Sequence, residues 1–139
     1  MIQLLYISSS TKSPSEAELV RLLEQARSNN QRKNITGMLL YSNGTYLQAL
    51  EGEAKDVHEL YEIIRSDSRN EGNVVLRESE IASRDFPDWN MGFENLENHS
   101  SDALPGFVAT FGGKLDKTVA VNNKTNAIKL LLSFSKKNL

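Results

Sequence analysis

The chain has 139 residues, of which 39% are hydrophobic and 24% are charged, and its formal net charge is -2. This length fits one compact domain, and the slightly acidic balance argues against a dedicated nucleic-acid binder. Cysteine is absent, which excludes disulfides and thiolate metal sites, and the two histidines, His58 and His99, are too far apart in sequence to form a local ligand pair.

The N-terminus argues against export, because "MIQLLYISSS" lacks the basic start and the small-residue cleavage site of a signal peptide. No apolar run approaches the roughly 20 residues that a helix needs to cross a bilayer. We therefore expect a cytoplasmic protein that does not enter the membrane.

The first predicted element is a strand, "IQLLYIS", with Ile2, Leu4 and Tyr6 on one face. A helix start follows, with Ser13 as the N-cap, Pro14 at the first helical position and Glu16 closing a capping box.

The first predicted helix carries an apolar stripe at spacings of three and four residues: Leu19, Leu22, Leu23 and Ala26. The same spacing brings Asn29 and Asn30 to the C-terminal end of this stripe. Asparagine commonly ends helices because it tolerates a left-handed backbone. Two interpretations therefore stay open, a helix stop and a pair of ligand-binding amides.

A hairpin is the strongest local signal, because Asn43-Gly44 separates two apolar runs. This turn predicts a register in which Tyr41 opposes Tyr46 and Leu39 opposes Gln48. Gln48 then lies on an apolar face and is expected to be buried. The opposite face is also apolar, with Met38, Leu40, Leu47 and Ala49, so the sheet must be covered on both sides.

A second amphipathic helix carries Val57, Leu60, Tyr61 and Ile64, and strands are predicted at "VVLRES" and "WNMGFEN". The resulting order, βαββαββ, predicts an α+β, ferredoxin-like fold with a mixed sheet and two helices on one face. Two C-terminal helices, "DALPGFVATFGG" and "NAIKLLLSF", are expected to cover the other face, although the last could equally serve a membrane surface or a dimer. Hinges are expected at residues 94–103 and 112–123, where hydrophobic density falls.

Tyr6, Gln48, Asn29 and Asn30 converge on the helix-covered side of this sheet. A buried glutamine without partners would cost about 1 to 3 kcal/mol, so its amide must be hydrogen-bonded. A Tyr6-Gln48 pair that satisfies itself inside an ordinary core is one solution. A pocket for a planar ligand with carbonyls and ring nitrogens is the other.

Six motifs in order resemble the BLUF family of blue-light sensors that bind flavin adenine dinucleotide, over about residues 2–96. They are "LYIS", "RSNN", "ITGMLLY", "LQALEGE", "DSR" and "RDFPDWNMGF". The resemblance implies a flavin-binding core at residues 1–97 and a C-terminal helical extension at residues 98–139. FAD is the expected cofactor, with FMN as an alternative.

The resemblance also implies roles for single residues. Tyr6 would donate an electron and a proton to the excited flavin, and Gln48 would be the amide that bridges the two and rearranges. Asn30 would bond the polar edge of the flavin ring, Asn29 would lie near the ribityl chain, and Ile64 would pack on the ring.

Three further roles follow from the same resemblance. Trp89 and Met91 would relay the light state from the last strand, and Arg69 would reach the phosphate tail. The family often has a histidine just after that arginine, whereas this chain has Asn70. The implied protein is a non-enzymatic photoreceptor, expected to form a homo-oligomer and to signal to a downstream protein partner in trans.

Two other function classes match parts of the sequence. An RNA-binding module of the RRM type would use Tyr6 and Tyr46 as stacking aromatics, but the acidic balance opposes it. An acylphosphatase-like hydrolase would need an anion-cradling loop after the first strand, and "SSSTKSPS" lacks the expected arginine and glycines.

Overall fold

The computed structural model of the chain describes residues 1–12, 14–88, 90–96, 117–122 and 124–137. The elements are β1 (Ile2–Ser10), α1 (Glu16–Arg32), β2 (Thr36–Ser42), β3 (Thr45–Gly52), α2 (Ala54–Arg65), β4 (Asn70–Glu80), β5 (Gly92–Asn95), α3 (Lys117–Asn122) and α4 (Lys124–Lys137). The predicted order βαββαββ is confirmed. The helix predicted at residues 102–113 lies outside the described residues.

The strands form one five-stranded sheet in the order β4-β1-β3-β2-β5. β2 and β5 are parallel, and the other neighbouring pairs are antiparallel. The sheet is therefore mixed, and the predicted α+β, ferredoxin-like class is confirmed. Among the described residues, no helix combines the length and the apolar composition needed to cross a bilayer.

The β2-β3 hairpin has the predicted turn and register. Asn43 and Gly44 both have positive φ, 49° and 80°, as a type I′ turn requires. Tyr41 pairs with Tyr46, and Leu39 pairs with Gln48. The register places Gln48 on the face that packs against α1 and α2.

Both faces of the sheet are buried, as predicted. One core includes Leu4, Tyr6, Leu39 and Leu50 of the sheet together with Leu19, Leu23, Val57 and Tyr61 of α1 and α2. The other includes Ile7, Met38, Leu40, Leu47 and Ala49 together with Ala120 of α3 and Ala127 and Leu131 of α4. Each face thus has its own apolar core, and the strands β1, β2 and β3 between them are almost fully buried, whereas β4 at the sheet edge is mostly exposed.

Some predicted boundaries were wrong. Helix α1 begins at Glu16, and its capping box is formed by Ser15 and Glu18. Ser13, the predicted cap, lies outside the described residues, and two overlapping Ser-x-x-Glu patterns explain the error. Helix α3 (Lys117–Asn122) occupies part of the second expected hinge.

The two last strands also differ from the predicted ranges. Strand β4 starts at Asn70, earlier than "VVLRES", because its pairing with β1 continues to Ser10. Strand β5 starts at Gly92, where its pairing with Met38 of β2 begins.

Gly37 in β2 sits where no side chain fits. A Cβ atom at this position would lie 2.0 Å from the carbonyl oxygen of Ala49 and 3.2 Å from the Met91 methyl carbon. The lack of a side chain at Gly37 therefore lets the backbone of β3 and the side chain of Met91 approach β2 closely.

We predict that Gly37→Ala lowers the free energy of unfolding by about 2 to 3 kcal/mol, because the backbone must shift. Gly44→Ala, where nothing lies within 4 Å but φ is +80°, should cost only about 1 to 2 kcal/mol. Urea unfolding of both variants measures the difference. A Gly37→Ala variant as stable as Gly44→Ala would contradict the close approach.

Candidate functional site

A cleft opens between the sheet and helices α1 and α2. It contains about 850 Å³ of empty space when its open mouth and the solvent there are counted. Its helical walls are mainly apolar, with Leu22 and Ala26 on α1 and Leu60, Ile63 and Ile64 on α2. Its floor is polar, with Tyr6 and Ser8 of β1 and Gln48 of β3.

The floor contains a chain of three buried side chains. Tyr6 and Gln48 pair directly across β1 and β3, and the Tyr6 hydroxyl donates to Oε1 of Gln48. Nε2 of Gln48 then donates to Sδ of Met91 at 3.2 Å. Because a thioether sulfur is a weak acceptor, the amide is held firmly at its oxygen and loosely at its nitrogen.

Burial keeps the Tyr6 proton in place. Desolvation, reinforced by the neighbouring Tyr61 and Tyr46, raises the pKa of Tyr6 far above its usual value. The ring of Tyr61 lies 5.2 Å from that of Tyr6, at an interplanar angle of 60°. In the resting protein Tyr6 is therefore a neutral phenol that donates to Gln48.

Two buried polar atoms at the cleft have no hydrogen-bond partner among the described residues: Oγ of Ser8 and Oδ1 of Asn30. Nδ2 of Asn30 is used, because it donates to the carbonyl oxygen of Asn90 at 2.9 Å. An unpaired buried group costs about 1 to 3 kcal/mol. Both atoms therefore favour a ligand whose edge carries hydrogen-bonding groups.

The rim of the cleft carries an ion pair. Arg69 donates to Asp67 through Nε at 2.9 Å and through Nη2 at 2.6 Å, and this guanidinium lowers the pKa of the Asp67 carboxyl. Asn70 donates to the carbonyl oxygen of Ile64 at 2.9 Å, and Asn29 accepts from Arg32 at 2.7 Å. The positive charge at the rim is thus largely compensated.

The cleft brings together most of the predicted site residues: Tyr6, Asn29, Asn30, Gln48, Ile64 and Arg69 all line it. Met91 is buried beside Gln48, on the far side of the amide from Tyr6. Trp89 lies outside the described residues. The predicted roles of these residues stay predictions.

Sequence reasoning missed several residues at the cleft. Ser8 could have been found, because alternation along β1 puts it on the same face as Tyr6. Gln25 lies one helical turn before Asn29. Nothing in the sequence marked Asp67 as the partner of Arg69 or Arg27 as the donor to the Met91 carbonyl oxygen at 2.9 Å.

The geometry does not fit the RRM-type alternative. Stacking aromatics must be exposed on an open sheet face, whereas Tyr6 and Tyr46 are only 3% and 6% exposed beneath the helices.

Comparison with known proteins shows the family to which the chain is similar. The family model described as "BLUF: Sensors of blue-light using FAD" matches residues 1–92. The photoactivated adenylate cyclase subunit beta of Euglena longa is 36% identical over 89 residues, which are 63% of this chain and 10% of that protein. The chain thus spans about a tenth of this curated relative.

Solved structures agree in fold. A bacterial light-regulated adenylyl cyclase superposes with a TM-score of 0.74 at 37% identity, covering 78% of this chain and 32% of that one. The dark-state structure of BlrB, a BLUF protein, has a TM-score of 0.71 at 27% identity and covers 92% of this chain and 96% of BlrB.

We predict that Ser8→Ala leaves the ligand-free protein as stable as before or stabilises it by about 1 kcal/mol, because the lost hydroxyl has no hydrogen-bond partner in the described part of the chain. Thr36→Val is the contrast, because the buried Thr36 hydroxyl is bonded to Glu51 and Arg84. It should cost about 1 to 2 kcal/mol in urea unfolding. Equal losses in the two variants would show that Ser8 has a partner within the protein.

Proposed function

Because the chain belongs to the BLUF family of blue-light sensors that use FAD, we propose that it is a photoreceptor that binds a flavin non-covalently in the cleft. The observation that carries the proposal is the buried chain from Tyr6 through Gln48 to Met91, beside a cleft with two polar atoms that the described residues leave unpaired. If Tyr6 and Gln48 only satisfied each other in an ordinary core, neither the cleft nor these polar atoms beside it would be expected.

The described residues fit such a cofactor. Oδ1 of Asn30 and Oγ of Ser8 would bond the polar edge of the ring, and Ile64 would pack on its face. Asn29 would lie near the ribityl chain, and Arg69 would reach the phosphate tail from its pair with Asp67. These contacts suit FAD and FMN alike, and FAD is the cofactor that the family description prints.

Tyr6 is the proposed source of both an electron and a proton. The bound flavin supplies the absorption of blue light and the capacity to accept an electron. A phenol that has lost an electron becomes a strong acid, and the nearest acceptor for its proton is Oε1 of Gln48. Burial of Tyr6 excludes bulk water as a competing acceptor.

Gln48 is the proposed switch. Return of the electron and the proton to Tyr6 closes the step and leaves the amide of Gln48 rotated or tautomerised. Either change exchanges an acceptor for a donor without moving β3. After rotation the oxygen of Gln48 faces Sδ of Met91, which has no proton to donate, and the bond of 3.2 Å is lost. The change at the amide therefore reaches Met91.

Output is proposed to pass from Met91 and Trp89 through β5 to the C-terminal helices. On this proposal residues 1–97 form the flavin-binding core, and residues 98–139 form an extension that a downstream protein partner reads in trans. The curated relatives are cyclases by name. The present chain is proposed to sense light without catalysis, as a cytoplasmic homo-oligomer.

Substitutions at the two central residues test the mechanism. Tyr6→Phe should retain flavin but abolish the light-induced red shift of its absorption, because the proton donor is gone. Gln48→Leu should abolish the shift as well, because no amide can rearrange. Tyr61→Phe is the matched control, since it removes a hydroxyl from the ring next to Tyr6, and it should keep the shift.

The measurement is the visible absorption spectrum of each purified, flavin-loaded variant before and during blue illumination. A normal shift in either Tyr6→Phe or Gln48→Leu would overturn the assigned mechanism. Loss of the shift in Tyr61→Phe would show that the shift needs the Tyr61 hydroxyl and is not explained by Tyr6 alone.

A further inference from the structure

We call residues 84–88, 90 and 91 the connector segment. It leads from β4 towards β5 and contributes side chains to the cores on both faces of the sheet. Phe86 is fully buried in the core under α3 and α4. Met91 is buried in the opposite core, beside Gln48. A displacement of this segment would therefore change the packing in both cores.

The connector segment is fastened at the Phe86 end by the carboxylate of Glu51, which is 0% exposed. Oε1 accepts from the Phe86 amide at 2.8 Å and from the Thr36 hydroxyl at 3.3 Å. Oε2 accepts from the Asp85 amide at 2.8 Å and from Nε2 of Gln3 at 2.8 Å. Each oxygen therefore holds one backbone donor and one side-chain donor.

Only a carboxylate satisfies this arrangement, because both of its oxygens accept. A glutamine in the same place would turn its NH2 group towards one of the two backbone amides, where a donor would meet a donor. Arg84 adds to the network, since its Nη1 donates to the Thr36 hydroxyl at 2.8 Å and to the Glu51 carbonyl oxygen at 2.9 Å.

The other end of the segment is held from α1. Nε of Arg27 donates to the Met91 carbonyl oxygen at 2.9 Å, and Nδ2 of Asn30 donates to the Asn90 carbonyl oxygen at 2.9 Å. Glu51 and Gln48 lie on the same strand, β3, but on opposite faces. One strand thus carries both the proposed switch and the anchor of the segment that the switch acts on.

We propose that Glu51 is a positioning residue, whose buried carboxylate fixes the connector segment so that Met91 stays against the amide of Gln48. The expected effect of Glu51 on recovery from the light state rests on the proposed function. Loosening this anchor lets Met91 move away from Gln48. The barrier to rearrangement of the amide is then lower both from the dark to the light state and back.

The test compares Glu51→Gln with Glu53→Gln, a matched control at a neighbouring exposed carboxylate that makes no capping hydrogen bond. In Glu51→Gln the Phe86 amide should exchange with deuterium about ten to a hundred times faster than in the wild type, since a charge-assisted bond is lost. The methyl resonance of Met91 should shift in the dark protein. Recovery from the light state should be about two to five times faster.

A purely structural role for Glu51 would lower stability and leave the Met91 resonance and the recovery rate unchanged, and that result overturns the inference. So does unchanged exchange at Phe86. If Glu51→Gln does not fold, Gln3→Met replaces it, because Gln3 bridges Glu51 and Asp85 through two bonds of 2.8 Å. The same three readouts should then change in the same direction by smaller factors.

Failure of the proposed function has a different signature. A wild-type protein without any light-induced shift would refute the photoreceptor. Amide exchange and the Met91 resonance would then still decide whether Glu51 positions Met91.

Discussion

The amide of Gln48 is 5% exposed on a face otherwise built from apolar and aromatic side chains, and its burial costs free energy unless its oxygen and nitrogen both find partners. The Tyr6 hydroxyl and the Met91 sulfur are the partners that the structure provides. The first is a strong donor and the second a weak acceptor. This inequality leaves the amide able to change partners while the backbone stays still.

The surrounding fold keeps this arrangement in place. Pairing of β1 with β3 sets Tyr6 opposite Gln48, and Gly37 lets Met91 and the backbone of β3 approach β2 closely. Apolar cores on both faces exclude water from β1, β2 and β3. The rigid sheet therefore confines a rearrangement of Gln48 to side chains and directs it towards the connector segment.

Local sequence signals predicted part of this arrangement. The Asn43-Gly44 turn determines the β2-β3 register, so the face of Gln48 could be predicted before any fold was known. The pairing of Tyr6 with Gln48 depends on strand order, which no local signal determines. The residues alone left a Tyr6-Gln48 core pair and a ligand pocket open, and the family resemblance favoured the pocket. The start of α1 was wrong because Ser13 and Ser15 each precede a glutamate by three residues, and the capping box forms at the second of these two patterns. The Glu51 network was not predicted, because two of its donors are backbone amides of a loop.

The visible absorption spectrum of the purified wild-type protein, loaded with FAD and recorded in darkness, under blue light and again in darkness, tests the central claim most directly. The account predicts a yellow protein whose flavin bands move to the red in light and return in darkness. A protein that stays colourless after incubation with FAD, or that binds FAD without any reversible shift, would contradict it and leave Gln48 as an ordinary core amide.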